Sequence, residues 1–374
     1  MTDIVTMPIG TAVSAATAKA GEDFLPEVAR KRPISVVMVS YMTGPALMEA
    51  IIAVLADRDV HELIVVDNGN TESARARLSE LTARRTRVRF LQGHGNIGFA
   101  RACNYGANLA TGHYLLFLNP DAVISKGAAR QLANAGDGLV EPWITGGLLR
   151  DEKGQEQRGA RRRALTPLSA LVGFVPILEV IPGLRSIHRE IDPLPLHPVQ
   201  IDTISGACLM TDRPSFEKMG GFDERYFLHV EDIEICRRAR QMGGQVGFVP
   251  GATVMHYGST SNVPRVWIEK EKLKGFLRYF WNYTPGLTSK VLTVLAAPFM
   301  AVAIVGRAYV LSFRSALMGR NLARPHLQNK KTERHTFRVI KPVHRFRFFK
   351  AFAFFFCGPD EGLVDGVCIL AQRI

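Results

Sequence analysis

His113-Tyr-Leu-Leu-Phe-Leu-Asn-Pro-Asp121 is the stretch that decides the fold, because it is an apolar run that ends in a turn and a carboxylate. Tyr114 to Leu118 is continuously apolar, which is typical of a strand covered on both faces within a parallel sheet. Ligands bind outside the carboxyl ends of the strands in such sheets, so Asp121 lies where a metal ion would be held. Alternatively, Asp121 is an ordinary turn residue, or it caps a helix that begins near Ser125.

Short apolar runs alternate with helical patterns before this stretch. The order predicts a βαβαβαβ arrangement, and therefore an α/β fold built on a doubly wound, mostly parallel sheet with right-handed crossovers. The predicted strands are Ile34–Val39, Leu63–Asp67, Val88–Leu91 and the run that ends at Asp121, and the predicted helices are Met48–Ala56, Ser73–Thr82 and Phe99–Ala110.

A second group of carboxylates lies downstream, in the segment from Gly220 to Arg237. A glycine turn and an aromatic stretch lead into a predicted helix, Glu231 to Met242, with Asp232 in its first turn. Helix N-termini stabilise ionised carboxylates by ~0.3–1 kcal/mol, so acidic residues are common there without any catalysis. On that interpretation, Glu234 pairs with an arginine one turn later on a solvated face.

Taken together, four motifs resemble glycosyltransferase family 2, the inverting nucleotide-sugar transferases of the GT-A fold. The resemblance covers roughly Ile34 to Pro285 and is carried by Leu116-Phe-Leu-Asn-Pro-Asp121, Ser205-Gly-Ala-Cys208, Gly220-Gly-Phe-Asp-Glu224 and Val230-Glu-Asp232. The chain is most similar to the bacterial rhamnosyltransferase-like branch, which has Asn-Pro-Asp where many relatives carry Asp-x-Asp. Asn119 thus replaces one carboxylate, and metal binding depends on Asp121, the diphosphate oxygens and a further ligand.

The resemblance implies a role for each matching residue. Asp232 is expected to be the catalytic base. Acceptor binding is expected at Gly206, Asp223 and Glu231. Nucleotide-sugar binding is expected at Ser40, Tyr41, Asp67, Asn96, Gly98, Arg101, Asn104, Asn119 and Asp121. A divalent metal, Mn²⁺ or Mg²⁺, is expected at Asp121 and His256.

Two of these residues also have ordinary structural interpretations. The segment Val254–Ser261 is similar to a His-x-x-Gly-x-Ser stretch of the family, in which the histidine completes the metal shell of some members, whereas a lone histidine at a strand end is otherwise a structural hydrogen-bonding residue. Imidazole suits Mn²⁺ better than Mg²⁺, which prefers oxygen ligands. The family carboxylate that matches Asp67 accepts N3–H of uracil or thymine, but Asp-Asn-Gly is also a strong turn signal in any protein.

The glycine-rich segment Gly93–Asn104 does not match the dinucleotide or P-loop fingerprints, which disfavours a Rossmann dehydrogenase. It resembles the family's Asn-x-Gly-Phe-Ala stretch, where backbone N–H groups and a helix N-terminus lie near the nucleotide sugar. Arg101 is either a phosphate contact or a surface helix residue.

The composition limits the remaining possibilities. The 374 residues can support one large domain with appendages or two domains. The five cysteines show no C-x-x-C spacing, so neither a zinc site nor a disulfide framework is indicated. Residues 1 to 30 lack a secretory pattern. We therefore expect a cytoplasmic protein with three parts, namely a flexible extension (1–32), a glycosyltransferase domain (33–285, with a nucleotide half 33–150 and an acceptor half 151–285) and a membrane-associating helical region (286–374).

The basic character is concentrated at the C-terminus. Residues 286–374 contain 14 Lys and Arg against 4 Asp and Glu, so +10 of the formal +13 lies there. The apolar run Val291–Val305 contains Pro298 and is shorter than the ~20 residues that a spanning helix needs, which favours a helix in the membrane plane. A second run, Phe346–Phe356, combines basic and aromatic residues. These features predict peripheral binding to an anionic membrane surface at the inner face of the cell membrane.

Two other interpretations of this region remain open. A C-terminal helical hairpin could pack on the catalytic domain with its basic face merely solvated. Interleaved basic and aromatic residues could also bind RNA, but no nucleic-acid-binding signature supports this, and no nucleic-acid partner is predicted. The oligomeric state is not predicted.

A basic cluster, Arg158–Arg163, precedes the proline-rich stretch Pro167–Pro198. The stretch could be a loop over the active site that orders on binding. The arginines would then meet the phosphates of a lipid-diphosphate acceptor, or they form an ordinary solvated charge run.

The function predicted from these observations is inverting transfer of a sugar from a dTDP- or UDP-activated donor to a saccharide hydroxyl of a lipid-linked or cell-surface glycan. The first candidate donor is dTDP-L-rhamnose. The alternative is a non-catalytic nucleotide-sugar or glycan-binding protein with the same fold, which Asn119 keeps open. A processive synthase is disfavoured because neither several membrane spans nor a Gln-x-x-Arg-Trp segment is present.

Overall fold

The computed structural model describes residues 32–174, 181, 187–190, 192–258, 260–261, 263–284 and 286–317. The chain forms two compact units, Met1–Arg32 and Pro33–Ile374, and all but the first described residue belong to the second. The predicted N-terminal extension, apart from Arg32, lies outside the described residues. So do the second apolar run, Phe346–Phe356, and most of the basic tail.

Strands and helices alternate along the first half of the described chain, as the sequence predicts. The strands are β1 (Ile34–Ser40), β2 (Val60–Asp67), β3 (Val88–Leu91), β4 (Tyr114–Leu118), β5 (Ala122–Ile124), β6 (Ile144–Arg150), β7 (Arg161–Arg162), β8 (Val199–Gln200), β9 (Thr203–Ile204), β10 (Cys208–Asp212) and β11 (Val246–His256). The helices are α1 (Ala46–Ala56), α2 (Glu72–Arg84), α3 (Phe99–Leu109), α4 (Ala128–Gly136), α5 (Pro167–Phe174), α6 (Arg213–Met219), α7 (Glu231–Gln241), α8 (Arg265–Tyr283), α9 (Leu287–Ala301) and α10 (Arg307–Leu317).

The main sheet has the order β3-β2-β1-β4-β10-β6-β11-β5, and β8 also pairs with β11. Strands β3, β2, β1 and β4 are parallel, as are β6 and β11. Strand β10 is antiparallel to both β4 and β6. The predicted α/β fold with a doubly wound, mostly parallel sheet flanked by helices is confirmed, with antiparallel strands joining it in the second half.

Both faces of the parallel strands are buried, which explains their unbroken apolar sequences. Alternate residues of one strand point to opposite faces, so Val36 and Met38 join a core cluster with α1 and α4, while Val37 and Val39 join another with α3 and α7. Each fully buried aliphatic side chain of this kind contributes ~1.5–3 kcal/mol. The carboxyl ends of β1, β2 and β4 are thereby held at one edge of a rigid sheet.

The prediction of a helix that begins near Ser125 with Asp121 as its cap is wrong. Residues Ala122–Ile124 form β5, which pairs antiparallel with the end of β11, and Gly127 is the N-cap of α4. The apolar side chains of β5 are suited to this pairing, and the tertiary contact decides the conformation.

The C-terminal helices form a hairpin in which α9 and α10 run back along α8. The helix does not stop at Pro298, since α9 continues through it to Ala301, and a π-helical turn, Val302–Gly306, then connects α9 to α10. The length argument made from Val291–Val305 is thus corrected, since Thr293–Phe313 is long and apolar enough to cross a membrane by length and composition alone.

Candidate active site

The nucleotide-side edge of the sheet is built by the ends of β1 and β2, where the register places Ser40 opposite Asp67. Asp67 is buried, and its Oδ1 accepts hydrogen bonds from the backbone N–H of Gly69 (3.1 Å), the backbone N–H of Asn70 (2.7 Å) and the Asn70 side chain (2.9 Å). The Oδ2 atom receives none of the hydrogen bonds found among the described residues. The turn interpretation of Asp67 is therefore correct, and it leaves one oxygen for a ligand.

Neighbouring loops are fastened to this edge. Ser40 Oγ donates to Asn70 Oδ1 at 3.1 Å. The Tyr41 ring packs against Gly69, whose φ of +119° and lack of a Cβ permit this contact, because an added Cβ would lie 3.1 Å from the ring. Ser261 Oγ donates to the Tyr41 carbonyl at 2.9 Å and so connects the segment after β11 to the end of β1.

The start of α3 is also tied to this edge, but its first N–H group is already occupied. Asn68 Nδ2 donates to Asn96 Oδ1 (3.2 Å) and to the Gly98 carbonyl (3.1 Å). The N–H of Phe99 donates to the carbonyl of Phe227 at 2.8 Å. The leading amide of α3 is therefore bound by a protein carbonyl, and the expected proximity of this helix N-terminus to the nucleotide sugar stays a prediction.

Asp121 lies at the end of β4 beside His256 of β11. Its Oδ1 is 3.2 Å from His256 Nε2, and its Oδ2 accepts from the Thr260 hydroxyl at 3.0 Å. Burial would raise the pKa of Asp121, but the hydrogen bonds and charge offered by His256, together with Thr260, hold that pKa below its ordinary value. The carboxylate is therefore ionised at neutral pH.

The His256 ring is oriented by two amide side chains. Its Nδ1 lies 2.6 Å from Gln157 Oε1, which can only accept, so Nδ1 carries a proton. Its Nε2 lies 3.2 Å from Asn119 Nδ2, a donor. The hydrogen bond and charge that His256 offers to Asp121 require Nε2 to be protonated as well. In the neutral ring the lone pair of Nε2 is the atom that a metal would use, and the hydrogen bond at Nδ1 orients the ring for it.

These side chains fit a divalent metal as a partial ligand set of one carboxylate and one imidazole. No group of three or more His, Cys, Asp or Glu side chains suited to a metal lies in the described part of the chain. Divalent metals in nucleotide sites commonly take one or two carboxylates and complete their shell with phosphate oxygens and water. Asn119 adds no carboxylate to this set, and its amide nitrogen faces His256 Nε2.

Asp232 lies in the first turn of α7, as predicted. Two of its hydrogen-bond donors come from residues far away in the sequence. Its Oδ2 accepts from Arg162 Nη2 at 2.5 Å and from the Gly206 N–H at 2.9 Å, and its Oδ1 accepts from the Ile233 N–H at 2.8 Å. Burial opposes ionisation, but the Arg162 charge and these N–H groups hold the pKa of Asp232 below its ordinary value. The ribbon of β7 and β9 brings both distant donors to the carboxylate.

The backbone before Asp232 is strained. His229 and Val230 have φ values of +66° and +75°, a left-handed conformation that is rare for a β-branched residue. Gly275 of α8 packs directly on them, because an added Cβ would lie 2.9 Å from the Val230 side chain and 3.2 Å from the His229 carbonyl. Close helix packing thus fixes the direction in which α7 starts.

Glu231, the first residue of α7, is buried, and its Oε2 has no hydrogen-bond partner among the described residues. Burial and the neighbouring Asp232 charge raise the pKa of Glu231 to about 8. Its charge acts on Cys103, so the carboxyl group lies on the α3 side of α7. The pair therefore divides into an ionised Asp232 and a protonated Glu231 at neutral pH.

The two carboxylate clusters meet at the same edge of the sheet. Strand β10 is antiparallel to β4 and pairs Cys208 with Leu118, so the residues before β10 lie beside the Asn-Pro-Asp turn. The Asn119 N–H donates to the carbonyl of Ala207 at 3.0 Å, one residue after the Gly206 amide that binds Asp232. Sequence-distant residues predicted to form one site are thus brought together.

Three predicted residues lie elsewhere. Arg101 and Asn104 are on the outer side of α3, where Arg101 Nε donates to Glu224 at 2.8 Å and Asn104 Nδ2 donates to the Phe222 carbonyl at 2.9 Å. They line a shallow cavity of about 230 Å³. Asp223 is bound by Arg225 within the same turn. For Arg101 the surface interpretation fits better, and ligand contacts by these residues remain predictions.

Several residues that hold the site were not predicted from the sequence. Thr260 lies in the quoted His256 segment, which offered a signal, and Arg162 lies in a cluster whose partners could not be read from the chain. Gln157 and Asn70 gave no signal, because an isolated amide side chain matches no spacing rule. Glu234 pairs with Arg238 at 2.5 Å, as the helix-spacing interpretation predicts, but it is buried rather than solvated.

Comparison with solved structures finds several glycosyltransferases. They include GalNAc-T7 with UDP, GalNAc and Mn²⁺ (TM-score 0.48, 18% identity, 67% of this chain and 48% of that chain) and the mannosyltransferase PcManGT from Pyrobaculum calidifontis with GDP-Man and Mn²⁺ (TM-score 0.47, 13% identity, 80% of this chain and 84% of that chain).

Sequence comparison is more informative. Residues 35–191 match the family model Glycosyl transferase family 2. The chain is 28% identical over 245 residues, 61% of its length, to N-acetylglucosaminyl-diphospho-decaprenol L-rhamnosyltransferase of Mycobacterium tuberculosis (strain ATCC 25618 / H37Rv), covering 77% of that relative. It is 25% identical over 155 residues, 40% of its length, to rhamnosyltransferase WbbL of Escherichia coli (strain K12), covering 54% of that relative. Residues 35–191 therefore resemble glycosyl transferase family 2, and the chain is a glycosyltransferase similar to known rhamnosyltransferases.

Proposed function

We propose that this glycosyltransferase moves a sugar, with inversion, from a pyrimidine nucleotide-sugar to a saccharide hydroxyl. The observation that carries the proposal is the convergence of Asp67, Asp121 and Asp232 at one edge of the sheet, each held in a defined orientation. Asp67 is suited to bind the edge of the nucleotide base, Asp121 to bind a metal-bound diphosphate, and Asp232 to remove the proton of the acceptor hydroxyl. Donor, leaving group and acceptor can then meet at a single place.

The reaction is a single in-line displacement. The acceptor hydroxyl oxygen attacks the anomeric carbon, the bond from that carbon to the diphosphate oxygen breaks, and the hydroxyl proton passes to Asp232. Asp232 suits this step because it is ionised at neutral pH, whereas the buried Glu231 is protonated. Backbone N–H groups of Gly206 and Ile233 fix the carboxylate. The charge that develops on the diphosphate arises on the opposite side, toward Asp121.

Asp121 and His256 are the residues that would hold a divalent metal, with diphosphate oxygens completing its shell. When bound, the metal would neutralise charge on the departing diphosphate. Gln157 keeps the His256 ring in place through Nδ1. An imidazole ligand favours Mn²⁺ over Mg²⁺.

The donor and acceptor follow from the similarity to rhamnosyltransferases. We infer dTDP-L-rhamnose as the donor and a lipid-linked diphosphate saccharide as the acceptor, because the Mycobacterium tuberculosis relative is named for L-rhamnose transfer to such a molecule. The test is to incubate the protein and Mn²⁺ with dTDP-L-rhamnose or UDP-sugars, with and without an N-acetylglucosaminyl diphosphate ester. Rhamnosylated product formed only with the dTDP donor supports the assignment. Product from another donor alone overturns the choice of sugar.

The second candidate is a binding protein that keeps the fold without turnover. Asn119 favours it, because an amide replaces an acidic ligand near Asp121. Slow hydrolysis of the nucleotide-sugar in Mn²⁺ without acceptor separates the two, because a binding protein leaves the donor intact.

The C-terminal hairpin supports attachment to the inner face of the membrane in the plane of the bilayer. One side of the helix packs on α8, where Ile304 joins a buried cluster with Phe276 and Phe280. The other side exposes large apolar side chains, with Leu295 60% and Phe299 77% exposed. A spanning orientation would carry the charged residues of α8 into the hydrocarbon, which is costly. An in-plane helix keeps α8 in water and buries the exposed stripe.

Substitution tests this attachment without removing the hairpin, which covers apolar residues of α8. We expect Phe299→Glu to lower sedimentation with anionic phosphatidylglycerol vesicles severalfold, since a charge on this exposed apolar stripe opposes its insertion into the bilayer. Leu196→Glu is the matched control, because Leu196 is exposed in a loop outside the stripe. Equal binding by both variants would show that the stripe does not contact lipid.

A further inference from the structure

The three consecutive arginines of the basic cluster are bound in different ways. Arg161 is buried and forms a two-point fork with Glu156, with Nε to Oε1 at 2.7 Å and Nη2 to Oε2 at 2.9 Å. Arg163 Nη2 contacts both carboxylate oxygens of Asp192, at 2.9 and 2.7 Å. These two arginines join β7 to the segment that follows α5, so their role is structural and the cluster is not a solvated charge run.

Arg162 is bound differently. It reaches the proposed base, Asp232, through one nitrogen and one carboxylate oxygen, and the same nitrogen donates to the Ile204 carbonyl at 2.9 Å. Its Nε is buried and has no hydrogen-bond partner among the described residues. A guanidinium group has five N–H donors arranged to bind two oxygens at once. The guanidinium group of Arg162 therefore has an N–H donor, on Nε, that is not used next to the base.

The single-point contact also restrains the base. The Asp232 oxygen that binds Arg162 also accepts from the Gly206 amide, so an incoming hydroxyl can bind that oxygen only by displacing one of these donors. A guanidinium partner stabilises the ionised carboxylate and thereby weakens it as a proton acceptor. The arrangement in this structure is thus a resting one, in which Arg162 and the acceptor hydroxyl seek the same carboxylate.

The surroundings of Arg162 favour an anionic ligand. Lys272 of α8 acts electrostatically on both His188 and His229, and so does Arg162. Burial, followed by these cations, lowers the pKa of each histidine to about 3, so neither carries a positive charge of its own at neutral pH. Arg162 and Lys272 therefore supply the positive charge on this side of Asp232, and Lys272 is paired with Glu269 at 3.0 Å.

We propose that Arg162 is an exchangeable latch on Asp232 that leaves the carboxylate for a phosphate group of the acceptor. The proposal rests on the proposed function, because it takes Asp232 as the base. A phosphate offers two oxygens to the guanidinium fork, whereas Asp232 uses one, so the exchange gains a hydrogen bond and employs the unpartnered Nε. Binding of a phosphate-linked saccharide then frees the base at the moment its hydroxyl arrives, and neutral saccharides or water do not.

The first test compares two acceptors that differ only in the phosphate, namely an N-acetylglucosaminyl diphosphate ester and the neutral octyl glycoside of the same sugar. We expect Arg162→Gln to lower kcat/KM for the diphosphate ester by about tenfold or more, since a charged bidentate contact is lost. With the neutral glycoside, the fall in kcat/KM should be several times smaller, because that acceptor has no phosphate to bind the guanidinium group. Arg163→Gln, the neighbouring control, should treat the two acceptors alike.

Arg162→Lys keeps the positive charge but lacks the guanidinium group that can bind two oxygens at once. It gives a second test if Arg162→Gln does not fold. It should show a smaller loss in the same direction. Equal losses with both acceptors in a variant that melts like the wild type would show that Arg162 merely orients Asp232. Unchanged kinetics with both acceptors would also overturn the proposal.

A binding measurement separates the latch from the proposed function. Asp232→Asn removes the partner that competes for Arg162, so calorimetry should show tighter binding of the diphosphate ester by severalfold, although transfer is lost. Binding that is unchanged or weaker overturns the latch. Retained transfer in Asp232→Asn instead overturns Asp232 as the base, whatever the binding result.

Discussion

The carboxylates at the two ends of the site are held in opposite ways. Asp67 accepts all three of its hydrogen bonds from residues two or three positions further along the chain. Asp232 accepts one bond from its own neighbour and two from residues 26 and 70 positions away. The first geometry forms with a local turn, whereas the second exists only when the ribbon, α7 and the sheet have assembled. The nucleotide side should therefore tolerate local changes that the acceptor side does not.

The largest expected effect is at the long-range end. Asp232→Asn should keep the fold and nucleotide binding but lower kcat by ~10²–10⁴-fold, because the near-isosteric amide cannot take the proton. Steady-state kinetics and a nucleotide-induced shift in melting temperature measure the two properties separately. Glu231→Gln is the control, because Glu231 is already protonated and its loss of acidity should matter far less. Turnover near the wild-type value in Asp232→Asn would disprove the assignment.

Asp121 lies between the two extremes, because its turn is local but its partner His256 comes from β11. Asp121→Ala should weaken binding of a nucleoside diphosphate in Mn²⁺ by about tenfold or more, since a ligand that orients the metal is lost. Binding of the free nucleoside, which lacks the bridged phosphates, should change little. Calorimetry with the two ligands checks this, and equal losses would point to a purely structural turn.

The sheet was largely predictable from the sequence because its strands are locally encoded. Strand β3 and strand β4 match their predicted bounds, and α1 and α2 begin within two residues of prediction. Strand β5 could not be read from its three residues, because its conformation depends on pairing with the distant end of β11. Continuation of the C-terminal helix past Pro298 was missed for a related reason, since the packing of this helix on α8 cannot be read from the sequence around the proline.

The same distinction between local and long-range structure separates the site residues that could be predicted from those that could not. Asp121, Asp232 and His256 were found because motifs place them at strand or helix ends. The partner of Asp232 was not, because three adjacent arginines look alike in sequence and only the ribbon register selects Arg162. Arg101 and Asn104 show the converse, since their spacing puts them on the outer face of α3, where they bind the turn at residues 220–224.

Helix packing behind Asp232 provides a smaller test of the long-range side. Gly275→Ala should destabilise the protein by ~1–3 kcal/mol, because the new methyl group meets the Val230 side chain and the His229 carbonyl in a fully packed place. It should also lower kcat without changing nucleotide affinity, since the start of α7 shifts. Denaturant melts and kinetics measure the two effects. Gly306→Ala, where an added Cβ has more room, is the matched control, and equal behaviour of both variants would contradict the packing argument.

The smallest effect is expected at the locally held end. Asp67→Asn retains an Oδ1 that can accept from Gly69 and Asn70, so the turn and the melting temperature should be nearly unchanged. Its other terminal atom becomes an N–H donor, which opposes the N3–H of uracil and thymine and complements the unprotonated N3 of cytosine. We expect about two- to tenfold weaker binding of dTDP, the range for one hydrogen bond, and a relative gain for CDP. Isothermal titration with both nucleotides decides the matter. A large drop in melting temperature with equal losses for dTDP and CDP would show that Asp67 serves the turn alone.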